Sequence, residues 1–381
     1  MPTTRLPIVE SLEPRSSSSD KDGLASNIFF EKAQNGVTYA VKRPGISSYA
    51  AGSGQAQGVF TWNDSLFQFM SEPNNSLVIA YVNSTFVILG YQYDGYFVSL
   101  ISSNGRTWDR YVQSFNSATI GGNPTSIAYN GTVLCSTTSN GTPAKSLISS
   151  DYGVTWSSSN MPSNHDYVVA SDGSGTFLAA RRNSSSATVY TSTDGVTWTS
   201  RTIPGALTVT GVGFVLGLFV LVSSTGTTVY TSADGITWGT TAGAPTNSYM
   251  GRFTDNGSIA IGVSNSTISS SEGIYSSTDG RTWTKRESVS SLVGDGAWDG
   301  SKFVVCSGGV SIYTSTDGIT WVISRVYESS SNYRIASSSS SDSVMIDSAT
   351  ARAKVTLTED SGTTFERIEI PGQQIYSATI I

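Results

Sequence analysis

The sequence predicts an all-β chain, a β-propeller of four-stranded antiparallel blades. Three observations carry this: one turn motif occurs seven times, its period matches one blade, and the composition suits short strands and tight turns. Aligned on the closing aromatic, the copies are ISSNGRTW to Trp108, SSDYGVTW to Trp156, TSTDGVTW to Trp198, TSADGITW to Trp238, SSTDGRTW to Trp283, TSTDGITW to Trp321 and TEDSGTTF to Phe365. Successive aromatics lie 48, 42, 40, 45, 38 and 44 residues apart, the length of a four-stranded blade at roughly 40–50 residues. Of 381 residues, 38% are hydrophobic, 13% are charged and 38 are Gly. That mixture supplies a core and many turns, and it suits long helices badly.

Each copy repeats upstream as well. SIAYNGTVLCST precedes Trp156, VVASDGSGTFLAA precedes Trp198 and GAWDGSKFVVCSG precedes Trp321. Each reads as strand, turn, strand, with Asn-Gly or Asp-Gly giving the positive φ of a two-residue hairpin turn. A third strand such as Thr188 to Ser192 enters the motif, and a fourth leaves it, often with Arg110, Arg201, Arg286, Arg325 or Arg367. A blade is therefore four strands in order, with the motif between the third and fourth.

The chain divides at the sequence level into an extended N-terminal arm, residues 1–56, and a propeller over residues 57–381. The arm is Pro-punctuated and Ser-rich, so it cannot bury a core alone; its own propeller or neighbouring subunits must supply the surface that orders it. Gly58 to Met70 (GVFTWNDSLFQFM) reads as a hairpin, and QIYSATII at the C-terminus as a strand. If the two ends share a closing blade, the ring has eight blades, the favoured count, with seven the alternative. Either way an exposed sheet edge is removed.

Within the motif, the acidic or amide residue bonds the turn's own backbone, Gly takes a conformation a Cβ opposes, and the aromatic covers the layer beneath. The residues so assigned are Asn104, Asp151, Asp194, Asp234, Asp279, Asp317 and Asp360, with Trp108, Trp156, Trp198, Trp238, Trp283, Trp321 and Phe365. A feature present in every blade is a turn staple, not a catalytic or calcium-binding site. Cys135 and Cys306 occupy equivalent second strands four blades apart, too far for a disulfide, and are expected as free, buried thiols.

A net charge of −6 and pI near 4.9 give no footprint for gripping phosphates. No apolar run reaches the length of a membrane span, and the N-terminus lacks the apolar core of a signal peptide. His165 reads as a surface-loop residue, and no His/Cys cluster has metal spacing. No catalytic group, metal or cofactor is expected.

The motif resembles the Asp-box, or BNR, repeat known from sialidases and other propellers, over roughly Leu77 to Pro371. The boxes at Asp151 and Asp360 have the family's usual length, Ser/Thr-x-Asp-x-Gly-x-Thr-aromatic; the other five are one residue shorter. In sialidases the resemblance would imply three arginines, a Tyr–Glu pair and an acid at the channel. Here the nearest match to their Arg-Ile-Pro is Arg5-Leu6-Pro7, within the arm. Fold does not decide function.

A second resemblance lies in RSSSSDKDGLASNIFFEKAQNGVTYAVKRPGISSY, which is similar to the N-terminal segment of tail hub and nozzle proteins of short-tailed bacteriophages. Arg15, Lys21, Asp22, Asn27, Phe30, Glu31, Lys32, Lys42, Arg43, Pro44 and Gly45 carry it. It implies a structural virion protein, made in the host cytoplasm, without a membrane anchor. It also implies a homo-oligomer, a hexamer, that helps form the DNA-ejection channel, bound to other tail or head–tail connector proteins, with DNA passing through without specific binding. The alternatives are a sialidase-like hydrolase and a glycan-binding propeller for host adhesion. Three arginines converging on the channel would favour the hydrolase, and exposed Trp or Tyr on a loop face the glycan binder. Interlocked arms would favour the tail component.

Overall fold

A computed structural model describes residues 6–7, 28–32, 38–42, 78–91, 96–139, 141–182, 184–223, 227–244, 249–264, 273–289, 293–307, 309–330, 333–338, 342–347, 354–358 and 366–368. The chain divides into two compact units, Met1–Phe67 with Gln374–Ile381, and Gln68–Gln373. The first contains an antiparallel sheet of three strands: Thr38–Lys42 in the centre, with Leu6–Pro7 and Ile28–Lys32 at its sides. Pro7 sits on an edge strand, the place in a sheet where proline is tolerated. The expected hairpin at Gly58 to Met70 and the C-terminal strand lie outside the described residues.

The second unit is a propeller of seven four-stranded antiparallel sheets, each ordered as in the sequence. Blade 1 is Val78–Val82, Thr85–Tyr91, Tyr96–Ser102 and Asp109–Asn116. Blade 2 is Pro124–Tyr129, Leu134–Thr138, Lys145–Ser149 and Ser157–Asn160. Blade 3 is Tyr167–Ser171, Phe177–Arg181, Ser186–Ser192 and Thr199–Leu207. Blade 4 is Val209–Val215, Leu218–Ser223, Thr228–Ser232 and Gly239–Ala242. Blade 5 is Met250–Asp255, Ala260–Ser264, Gly273–Ser277 and Thr284–Ser288. Blade 6 is Val293–Trp298, Phe303–Ser307, Gly309–Ser315 and Val322–Ser330. Blade 7 is Tyr333–Ser337, Ser343–Asp347, Lys354–Thr358 and Glu366–Ile368. One short helix, Ser117–Ile120, links blades 1 and 2. No described helix is long and apolar enough to cross a membrane.

First strands touch first strands in one closed cycle, blade 1 to blade 7 and back to blade 1, so they line the axis and the fourth strands form the rim. This position explains the sequence of each strand. Second strands such as LCSTT, AIGVS and FVVCS are buried throughout, because a neighbouring blade covers each face. Fourth strands such as SSSN and GTTA are mostly exposed, and polar.

The favoured count of eight blades is corrected to seven. Blade 7 has its own fourth strand, and it packs on blade 1 without a shared blade between them. Ala336, Val344 and Leu357 join Ile79, Phe86, Ile88, Val98, Leu100 and Trp108 in one apolar cluster. At that junction a Cβ on Gly105 (φ 69) would stand 2.9 Å from Leu357 Cδ1 and Val344 Cγ2, so any side chain there would be strained and would displace both methyl groups.

The hairpin expectation is also corrected. Two-residue turns occur at Asn83-Ser84 (φ 48 and 57) and Leu216-Gly217 (φ 51 and 76), between the pairs Val82–Thr85 and Val215–Leu218. The Asn-Gly and Asp-Gly turns are longer. Between the paired Tyr129 and Leu134, Asn130 Oδ1 accepts from Thr132 N at 3.1 Å and Val133 N at 3.0 Å; Asp299 Oδ1 does the same for Ser301 and Lys302. An Asx side chain that caps its own turn stabilises a four-residue loop, with Gly131 and Gly300 at φ 93 and 94.

Candidate functional site

The repeated box is the first candidate, and its geometry is that of a staple. In blade 3, Asp194 Oδ1 accepts from Val196 N at 2.8 Å, Thr197 N at 2.7 Å and Ser192 Oγ at 2.9 Å. Ser192 Oγ accepts from Gly195 N at 2.9 Å, and Trp198 Nε1 donates to Gly195 O at 3.1 Å. Asp234, Asp279 and Asp317 hold the two following N–H groups in the same way. Asn104 does so too, with Arg106 N and Thr107 N each 2.9 Å from Oδ1. In a short box the two N–H groups meet one side-chain oxygen, which an amide supplies as well as a carboxylate does.

The longer box of blade 2 differs. Tyr152 takes a left-handed φ of 55, Gly153 one of 94, and both carboxylate oxygens of Asp151 are used: Oδ1 by Thr155 N at 2.9 Å, Oδ2 by Thr155 Oγ1 at 2.6 Å. Asp360 and Phe365, the other long box, lie outside the described residues. Trp108, Trp156 and Trp283 are buried, while Trp198, Trp238 and Trp321 are half-buried. The indole N–H of each of the first five described tryptophans reaches its box glycine carbonyl; Trp321 Nε1 is buried with no partner.

These bonds depress the carboxylates. For Asp317 the N–H groups of Thr320 and Ile319 lead, lowering it to about 2; for Asp234 they are Thr237 and Ile236. At Asp151, Asp194 and Asp279 burial works upward but is outweighed by hydrogen bonds.

The boxes also join blades, which local reading missed. A Cβ on Gly195 would meet Ile148 and Cys135 of blade 2 at 3.2–3.5 Å. Both cysteines are buried thiols outside any disulfide, as expected, and burial pushes the Cys135 thiol up. His165 is half-buried in the loop before blade 3, its N–H on Ser163 O at 3.1 Å and its Nδ1 without a partner. Of the arm residues, Lys42 closes the strand Thr38–Lys42 opposite Ile28. Arg15, Asp22, Asn27, Arg43, Pro44 and Gly45 lie outside the described residues.

The second candidate is the central channel, where the first strands of all seven blades line a cavity of about 310 Å³. Tyr129, Ser171 and Phe214 stand at its turn-proximal end, the end that also carries the boxes. Ser126, Arg252 and Asp295 stand deepest. Counted back from the turn after each first strand, Arg252 (opposite Val263), Asp295 (opposite Cys306) and Arg334 (opposite Ile346) hold the same fourth place. Blades 2 and 3 have Ser126 and Val168 there.

At this depth the bore is crossed. A register shift between Pro124 and Ser126 leaves Thr125 as an extra residue, whose carbonyl is released from the ladder. Arg252 Nη2 of blade 5 donates to that carbonyl in blade 2 at 3.1 Å. Ser126 Oγ meanwhile accepts from Val169 N of blade 3 at 2.7 Å. Repeat reading did not find this tier, although its signal was available: charge at one aligned position in three successive repeats. Among the described residues, no group of three or more His, Cys, Asp or Glu is placed to hold a metal ion.

No family model and no curated protein matches the chain. Solved propellers match it in fold. The chain is similar to virginiamycin B lyase from Staphylococcus aureus (TM-score 0.58, 10% identity, 77% of this chain and 98% of that one). It is also similar to YCF48 from Cyanidioschyzon merolae (0.51, 16%, 79% and 100%) and to the GH74 xyloglucanase from Xanthomonas campestris (0.54, 11%, 78% and 54%). At such identities the likeness establishes the β-propeller and nothing of its activity.

Proposed function

We propose that the chain is a structural, non-enzymatic virion protein of a tailed bacteriophage. In this reading it is a tail hub or nozzle component with an Asp-box propeller, assembled as a hexamer around the DNA exit path. The observation that carries it is the run from Arg15 to Gly45, with Phe30-Glu31-Lys32 and Lys42-Arg43-Pro44-Gly45. Two features support it: the N-terminal residues fall in a unit apart from the propeller, and every described box carboxylate is engaged by its own turn. Because Arg252 crosses the bore, the DNA path in this reading runs between copies, not through a propeller.

The test is deletion of residues 1–45. Ordering such a segment costs roughly 1–2 kcal/mol per residue in backbone freedom, which a Ser-rich stretch does not recover alone. The truncated chain is expected to keep its β-sheet circular dichroism and to lose native-mass assembly. A truncated chain that still assembles normally would overturn the reading.

A further inference from the structure

The structure assigns a monovalent cation, sodium or potassium, to the seam between blades 6 and 7, held by the carboxylate of Asp299. This goes beyond the assembly reading and does not rest on it. Asp299 opens the four-residue turn after the first strand of blade 6 and is 0% exposed. Its Oδ1 is fully used: it accepts from Lys302 N at 2.7 Å, Ser301 N at 2.9 Å and Ser301 Oγ at 3.0 Å. Its Oδ2 is buried and has no hydrogen-bond partner among the described residues. A bare carboxylate oxygen inside a protein is strongly unfavourable, and buried charges are paired or bind metal ions.

Blade 2 shows where that oxygen looks. Its turn Asn130–Val133 has the same geometry. Asn130 N donates to Val133 O at 3.2 Å as Asp299 N does to Lys302 O at 3.0 Å, and the glycines stand at φ 93 and 94. In both turns Oδ1 holds the N–H groups two and three residues on. Asn130 is 2% exposed, and its Nδ2 donates across the seam to Thr193 O at 2.9 Å and Gly175 O at 3.1 Å of blade 3. Blade 5 repeats the turn with another amide, Asn256, whose Oδ1 accepts from Ser258 N and Ile259 N. Asp299 alone of the three exchanges the donor for a second acceptor. By the repeat, its Oδ2 takes the place of Asn130 Nδ2 and turns toward blade 7, the place where carbonyl oxygens of blade 3 converge on Asn130. Oxygen facing oxygen needs positive charge between, and hard cations take carboxylate and carbonyl oxygens as ligands. One carboxylate neutralises a monovalent ion, whereas a divalent ion would leave net charge buried. Among the described residues no group of three or more His, Cys, Asp or Glu gathers to offset it.

The experiment is thermal unfolding of the full-length protein in sodium, potassium, calcium and choline chloride at equal ionic strength. Sodium or potassium is expected to raise the melting temperature above that in choline by a few degrees, saturably, by mass action on the folded state. Asp299→Asn gives this turn the amide of Asn130, and the variant is expected to lose the difference between choline and the alkali salts. Hydrogen exchange on the wild-type protein is expected to slow, on replacing choline by the effective cation, in Val293–Trp298 and Phe303–Ser307, the strands that flank the turn. This arm decides the matter even if the variant does not fold. Equal melting in choline and both alkali salts, which a proton on Oδ2 would give, or a rise with calcium alone would overturn the assignment. So would a cation dependence that persists in Asp299→Asn, or slowing confined to other blades.

Discussion

The seam between blades 1 and 2 and the seam between blades 2 and 3 solve one problem with different parts. At the first, the long box of blade 2 is held from the rim. Gln113, on the fourth strand of blade 1, accepts from Trp156 N at 3.0 Å and donates to Val154 O at 3.1 Å, while Ser99 Oγ donates to Gly153 O. At the second, the short box of blade 3 is held from its inner side. Asn130, in the first turn of blade 2, donates to Thr193 O at 2.9 Å and Gly175 O at 3.1 Å. The extra residue Tyr152, left-handed at φ 55, goes with a different tether. Box length and the residue that ties a box to the blade before it vary together across these two seams.

The largest test of the contrast is removal of the indoles. Trp156 is 6% exposed and Trp198 is half-buried, so Trp156→Ala should lower unfolding stability by about 3–5 kcal/mol, through the cavity left behind. Trp198→Ala should cost less. Urea denaturation of both variants decides it; an equal or larger loss at Trp198 would remove the claim that the long box is the more deeply seated.

The tethers come next. Asn130→Asp turns a donor into a carboxylate facing two carbonyls, and Gln113→Ala strands Trp156 N. Each should cost about 1–3 kcal/mol. As they serve separate seams, the double variant should show their sum within roughly 0.5 kcal/mol. A strong non-additive term would mean that the seams are coupled around the ring.

A finer comparison exchanges carboxylate for amide. The N–H groups that Asp194 holds meet one of its oxygens, whereas Thr155 engages both oxygens of Asp151. Asp151→Asn should therefore cost about 1 kcal/mol and Asp194→Asn about 0.5 or less. Asn104 is the natural instance of the tolerated change. Equal costs, read from denaturation midpoints, would show that charge and not acceptor count governs the box.

Much of this was legible in the sequence, for a physical reason. The boxes are closed by residues within four positions of one another, so Asp194, Gly195 and Trp198 declare their geometry locally. The buried second strands declare theirs through apolar runs such as FVVCS. Blade number was not legible from the ends: closure brings Ala336, Val344 and Leu357 of blade 7 into one apolar cluster with blade 1, a contact between the two ends of the ring that no local pattern encodes. The Arg252–Thr125 bond spans 127 residues, and only a bulge that frees one carbonyl makes it. Gln113 and Asn130 were missed because a tether between blades looks, in sequence, like an ordinary polar residue of a strand or turn.

The smallest expected effect is acid sensitivity of a single short box. The N–H groups of Thr320 and Ile319 lower Asp317 to about 2, against about 3.9 for an unfolded chain. A folded-state pKa below the unfolded one means that the folded protein binds fewer protons in that interval. The contribution is therefore present above about pH 4 and is lost as pH falls toward about 2. Asp317 is exposed, so solvent screens the interaction and the change is modest. Other depressed carboxylates also make the whole protein less stable in acid, so the informative readout is a difference. The gap in urea midpoint between wild type and Asp317→Asn should move in the variant's favour between about pH 4 and pH 2 and stay level above pH 5. Asn104→Asp should do the reverse, adding acid sensitivity to a box that has none. A gap that stays constant from pH 5 to pH 2 in both variants would mean that the box carboxylates are held by shape alone, and the distinction between amide and carboxylate boxes would lose its electrostatic half.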